Sequence, residues 1–291
     1  MPVVNLGWLP ASTALLMAAL LLGAMFALRA SERTRRWESL AREVALVLVL
    51  YAAWQYAGSL NVTGQGGARD AGLWLASVER SLGWPDEAWW QQAVLDHDWL
   101  ISLANSYYIV LHGPALVAAL AWVLVFRRPD WPFARTTVAL LTGACMLIQY
   151  WPVAPPRLIP SLGIVDTPAR SGVSVYDAIP GANQFSAMPS VHVAWAAAVA
   201  LIVIVSAGTR WRWLALAYPL MTLWVVVITG NHFTIDGVAA IVLLAAVAGV
   251  TVWFPSQRPE RLRRRSAVAP PPDPALALPI RTSAGWHSPP G

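Results

Sequence analysis

Two short segments concentrate the residues able to do chemistry, AMPSVHVAW at 187–195 and GNHFTIDGVAA at 230–240. Each sets a histidine where a long apolar run begins, and the second adds Asp236 one helical turn after His232. Polar groups are expensive at the rim of a hydrocarbon layer, so His192, His232, Asp236 and Ser190 in such places point to function. The chemistry they suit is phosphoryl transfer through a histidine nucleophile. A helix brings His232 and Asp236 to one face, where the carboxylate can fix the ring tautomer and leave the other nitrogen to attack phosphorus. His192 can then protonate the departing oxygen and later activate the acceptor, water or an alcohol.

Phosphoryl transfer also needs fixed positive charge. Arg157, in the proline-stiffened stretch APPRLIP, offers a planar guanidinium suited to phosphate oxygens. Ser190 can cap the helix that follows it, where free backbone N–H groups make a small anion site. Asn231 stands beside the nucleophile. Asn105, Tyr108 and His112 share one helix face by their spacing, and read equally as interhelical hydrogen bonding or as a wall of a headgroup pocket. Each residue alone has a plainer reading: a histidine near a span end as a polar contact, the His232 and Asp236 pair as a structural hydrogen bond, Arg157 as a lipid-headgroup ligand. The joint pattern is far more specific. A metal site fits less well, because no HExxH-type pair exists, and neither metal nor cofactor is expected.

These residues need a scaffold, and the composition says which kind. Of 291 residues, 57% are hydrophobic and 12% charged, against about 25% charged in soluble domains. An all-α, polytopic membrane bundle follows, with about seven transmembrane helices. The expected spans are Leu9–Leu28, Val44–Leu60, Ile101–Phe126, Ala134–Trp151, Pro189–Ser206, Trp211–Thr229 and Asp236–Phe254. The first has no basic residue before its apolar run, which favours a retained span over a signal peptide.

All twenty basic residues are arginine. They gather at 29–42, at 127–135, at 210–212 and at 258–265, and seven spans put all four groups on one side, the cytoplasmic one. The net charge of +5 is thereby explained by topology, with no nucleic-acid partner. His192, His232, Asp236 and Arg157 then share the opposite, extracytoplasmic face, since one helical hairpin separates the histidines. Cys145 is the lone cysteine, so no internal disulfide can form.

Four regions follow: a transmembrane pair at 1–60, an extracytoplasmic helical loop at 61–100, a catalytic transmembrane core at 101–255 and a disordered cytoplasmic tail at 256–291. In the loop, Leu73, Trp74, Leu75, Val78 and Leu82 recur at helical spacing, followed by Trp84, Trp89, Trp90 and Trp99. That reads as an interfacial amphipathic helix, with a lid over the site as the alternative. The tail is rich in proline and small residues. The oligomeric state is not encoded in any legible way.

At these residues the chain resembles the type 2 phosphatidic acid phosphatase superfamily, whose second and third motifs are PSGH and SRxxxxxHxxxD. Pro189-Ser190-Val191-His192 matches the second except that Val191 replaces its glycine, and His232 with Asp236 matches the end of the third. The resemblance implies His232 as phosphohistidine nucleophile, Asp236 as its orienter and His192 as general acid. Val225 and Val226 stand where the third motif carries Ser-Arg, and Tyr150 where the first motif carries lysine. These departures, with APPR, MPSxHVAW and GNHxxxD, look like the inositolphosphotransferase-like branch related to fungal inositol phosphorylceramide synthase. Arg69, Arg170 or backbone donors are candidates to complete the phosphate clamp.

The function expected is an integral membrane lipid-phosphate phosphatase or phosphotransferase, taking a lipid phosphate or phosphodiester from the bilayer at the outer face of a bacterial plasma membrane. Transfer of an inositol-phosphate-like headgroup is the alternative chemistry. A lipid transporter would need polar residues along several spans, whereas the inner halves of the last three are almost wholly Ala, Val, Leu and Ile. A non-catalytic scaffold would leave the histidines unexplained.

Overall fold

The computed structural model describes residues 11–28, 38, 41–49, 52, 65–174 and 184–267. Among these the regular elements are helices. They are α1 Ala11–Leu28, α2 Gln65–Ser81, α3 Glu87–Leu95, α4 Asp98–Val110, α5 His112–Phe126 and α6 Trp131–Gln149. Then come α7 Thr167–Ser171, α8 Val191–Ser206, α9 Ala217–Ile228, α10 Thr234–Trp253 and α11 Glu260–Ala267.

The central helix is α8, which packs against α5, α6, α9 and α10. Its buried face is Val193, Ala194, Ala196, Ala197, Ala198, Ala200 and Ile202. Small side chains of this kind let neighbouring helices approach closely where no hydrophobic effect drives them together. A second apolar cluster joins α2 to the loop before α7 and to the start of α10, through Ala68, Leu75, Ala76, Val153, Ala154, Ile159, Ala187 and Phe233. At Gly72 the helix lies so near that loop that a Cβ would stand 2.7 Å from the Ala154 carbonyl oxygen.

Three described helical stretches are long and apolar enough to cross a membrane: Arg128–Gln149, Arg210–Ile228 and Thr234–Trp253. A fourth candidate is a bent pair, α4 with α5, where the sequence led us to expect the single span Ile101–Phe126. The bend is 46°. Its cause is Pro114, which has no N–H to give the Val110 carbonyl and whose ring crowds that carbonyl. Helix α8, at 16 residues, is apolar but shorter than a full crossing. Of the two expected N-terminal spans, the first overlaps α1, whose apolar stretch Ser12–Ala24 is shorter than a full crossing, while most of 44–60 lies outside the described residues.

The arginine-bearing loops meet at one end of the bundle. Arg263 donates to the Pro129 carbonyl at 2.6 Å, Arg261 donates to the Ala207 carbonyl, and the Glu260 N–H reaches Asp130 at 2.7 Å. Arg135 pairs with the buried Glu43. These anchors correct one expectation: residues 255–257 form a 3-10 turn and α11 continues to Ala267, so the first part of the 256–291 segment is ordered. The rest of that segment lies outside the described residues. His192 in the first turn of α8 and His232 just before α10 stand at the opposite end of the bundle.

Candidate active site

Helix α8 begins at Val191 because Ser190 caps it. Its buried hydroxyl accepts the Val193 N–H at 3.4 Å, a bond the Ser190 side chain can make only with its own backbone extended. His192 therefore sits in the first turn. Its ring stacks on Tyr108 with centroids 3.9 Å apart, and lies 5.0 Å from His112 and 5.9 Å from His232. Bringing α4, α5, α8 and the start of α10 together thus assembles three imidazoles. His112 places Nδ1 3.0 Å from the Tyr218 hydroxyl, while its Nε2 is buried with no hydrogen-bond partner among the described residues.

His232 precedes α10 in a turn set by Gly230. That glycine has φ of +69°, the left-handed region, and a Cβ there would stand 3.0 Å from the Arg157 Cβ and 2.9 Å from the Ile164 Cγ2. The ring of His232 points its Nδ1 at the Ala187 carbonyl, 2.7 Å away. A carbonyl only accepts, so Nδ1 carries the proton and Nε2 holds the lone pair. Asp236 lies further off, its Oδ2 3.5 Å from Nδ1, because the same oxygen accepts the Phe233 N–H at 2.9 Å. The tautomer is held chiefly by the peptide, with Asp236 as a nearby carboxyl and helix cap.

The Ala187 carbonyl is itself fixed. The Ala187 N–H donates to the Val153 carbonyl at 3.2 Å, and Gln149 donates to the Ser186 and Pro189 carbonyls at 3.3 and 3.0 Å.

Arg157 is buried beside this turn. Its backbone N–H donates to the Gly230 carbonyl at 3.0 Å, and its guanidinium donates to Asn231 (3.0 Å), Asp166 (3.0 Å) and Gln184 (3.2 Å). Asn231 in turn donates to the Thr229 hydroxyl at 2.9 Å. The Thr229 carbonyl accepts from the Thr167 hydroxyl at 3.1 Å, and Asn105 donates to that hydroxyl at 3.4 Å and to Ser171 at 3.2 Å. Asn105 thus reaches Arg157 through a buried polar chain, whereas Tyr108 and His112 meet the histidines directly. Of the other arginines considered, Arg170 forms an exposed pair with Asp98 at 2.7 Å, and Arg69 is exposed.

Sequence reasoning missed Ala187, Gln149, Asp166, Gln184 and Thr167, and also Glu79, Glu87 and Gln91 on α2 and α3. Gln91 is buried and clasps the Val165 peptide and the Ile228 carbonyl. Main-chain acceptors leave no trace in residue type, and isolated acids or amides in an outer loop read as solvated. Only Asp166, nine residues from Arg157, was a findable signal. Among the described residues no group of three or more His, Cys, Asp or Glu side chains is placed to hold a metal ion.

The described residues thus form an all-helical bundle with several candidate membrane-crossing helices and a buried histidine, aspartate and arginine cluster at one end. The model of the PAP2 superfamily matches residues 73–254, and the chain belongs to that superfamily. Membership supports a phosphatase-type enzyme. Neither a curated protein nor a solved structure matches the chain.

Proposed function

We propose that the protein is an integral membrane enzyme that removes or transfers the phosphoryl group of a lipid phosphate or phosphodiester through a phosphohistidine at His232. The observation that carries this reading is the Nδ1 contact of His232 with the Ala187 carbonyl, which leaves Nε2 as the nucleophile with the His192 ring 5.9 Å away. Nε2 attacks phosphorus, the bond to the leaving oxygen breaks, and His192 gives that oxygen its proton. His192 then takes a proton from water or an alcohol, whose oxygen attacks phosphorus and breaks the P–N bond. Arg157, held by Asn231 and Asp166, and the N-terminus of α8 supply positive potential for the phosphate oxygens. Asp236 supports the imidazolium that develops on His232.

Hydrolysis and transfer share the first half-reaction; water as acceptor is the reading taken here, with an inositol-like alcohol as the variant the motif resemblance favours. The site faces the extracytoplasmic side in this reading, which the arginines gathered at the far end of the bundle support. Trp74, Trp89 and Trp99 are more than 60% exposed on α2, α3 and α4. They suit an interfacial anchor whose other face roofs the site, so anchor and lid are one device. The test is purified protein incubated with lipid phosphates and phosphodiesters, measuring free phosphate and new phospholipid together, with and without alcohol acceptors. Turnover of at least one lipid is expected; none across the panel overturns the reading.

A further inference from the structure

The start of α10 is held in an unusual way. Three consecutive amides, that of Phe233 just before the helix and those of Thr234 and Ile235 that open it, each donate to a different carboxylate. The Phe233 N–H reaches Asp236, the Thr234 N–H reaches Glu87 at 3.1 Å, and the Ile235 N–H reaches Glu79 at 2.6 Å. The Thr234 hydroxyl also donates to Glu87, at 3.1 Å. Glu79 and Glu87 come from α2 and α3, far away in sequence, and both are buried. Carboxylates favour a helix N-terminus, whose free N–H groups and macrodipole attract them. Three of them buried together repel, however, and burial alone penalises each charge.

We propose that Glu79 and Glu87 are positioning residues, a clamp by which α2 and α3 fix the first turn of α10 and so hold Asp236 beside His232. The inference rests on the reading of His232 as nucleophile. Turning that turn by even a fraction of an ångström moves the Asp236 carboxylate, because its Oδ2 is shared between the Phe233 N–H and the His232 ring. Glu79 works as a neutral acid in this clamp. Its carboxyl is pushed up to about 9, first by burial and then by the neighbouring Glu87, against a lowering by the Ile235 N–H. The ionisable groups facing it are Glu87 from α3 and Asp236 from α10, and on its own helix Arg80 turns its Nε to the Ala76 carbonyl. Glu79 Oε1 accepts the Ile235 N–H, and Oε2, the atom left to carry the proton, is buried.

Glu79→Gln reproduces the neutral acid, with one oxygen to accept and an amide to donate. With a lipid phosphate that the enzyme turns over, the wild type should lose kcat as pH rises through about 9, the point at which Glu79 ionises. Glu79→Gln should keep kcat within about twofold at neutral pH and lose that alkaline limb. Glu79→Ala and Glu87→Ala should each lower kcat roughly tenfold or more with little change in KM. An unchanged alkaline limb in Glu79→Gln, an inactive Glu79→Gln, or one that fails to fold would each overturn the clamp. Thermal unfolding in the same buffers needs no substrate and separates the two readings. If Glu79→Gln flattens the dependence of Tm on pH while kcat keeps its limb, the clamp is structural and the positioning role falls. If no lipid phosphate is turned over, the functional reading falls while the Tm comparison still reports on the clamp.

Discussion

His232 gives its Nδ1 proton to the Ala187 carbonyl at 2.7 Å, a closer partner than Asp236 at 3.5 Å. The His232 tautomer therefore depends on how the chain around 186–190 is anchored, by Val153 and Gln149 on the neighbouring loop and helix. Asp236 caps α10 through the Phe233 N–H and, in the proposed mechanism, stabilises the charge that grows on His232.

Replacing Asp236 by Asn keeps a cap acceptor and removes the ionisable carboxyl. Steady-state kinetics of Asp236→Asn should show kcat lowered on the order of a hundredfold or more, with KM changed by less than about threefold. A kcat near wild type would reduce Asp236 to a helix cap.

If His192 protonates the leaving oxygen, its loss matters most for poor leaving groups. His192→Gln should lower kcat on an alkyl phosphate ester by about a hundredfold or more, yet lower it less than about tenfold on an aryl phosphate whose phenolate leaves unaided. Equal losses on both substrates would assign His192 a role other than general acid.

Gly230→Ala forces a Cβ into the left-handed region and against Arg157 and Ile164. The backbone cost alone is about 1–2 kcal/mol. Thermal unfolding should show a lowered Tm, and kcat/KM should fall as Arg157 is displaced from the turn. An unchanged Tm with full activity would show that this turn is not fixed as described.

Arg157→Lys retains charge but loses the fork that reaches Asn231, Asp166 and Gln184. We expect kcat/KM to fall about tenfold or more, since one ammonium cannot reproduce three directed bonds. Full activity in the lysine variant would make Arg157 a simple counter-ion.

Glu79 also sets a direction for stability against pH. Its folded value is raised from 4.5 to about 9. The folded state thus binds the proton more tightly than the unfolded one, so stability from this group is fully present below pH 4.5 and is lost progressively as pH rises towards about 9. Solubilised protein should lose Tm across that window, and Glu79→Gln should not.

Much of this was readable in the residues because it is local. The Ser190 cap acts within one helical turn, the HxxxD spacing pairs His232 with Asp236 even though His232 stands in the turn before α10 rather than on the expected helix face, and the long apolar runs announce their helices. The break at Pro114 was equally legible, from Gly113-Pro114 inside an apolar run, and the expected single span overlooked it. What could not be read is long-range: a main-chain carbonyl at Ala187 and the two glutamates of α2 and α3 that close on α10. Asn105 showed its helix face but not its partners, Thr167 and Ser171, which belong to a distant loop. The order of 255–267 was missed because its anchors, Asp130, Pro129 and Ala207, come from other loops.

The central claim is a covalent phosphohistidine, and rapid mixing with a radiolabelled lipid phosphate followed by alkaline quench tests it most directly, because phosphorus on an imidazole survives alkali. The label should appear on the protein within one turnover and map to the peptide containing His232, and the His232→Ala protein should neither label nor turn over. Label on any other residue, or turnover retained in folded His232→Ala, would contradict it.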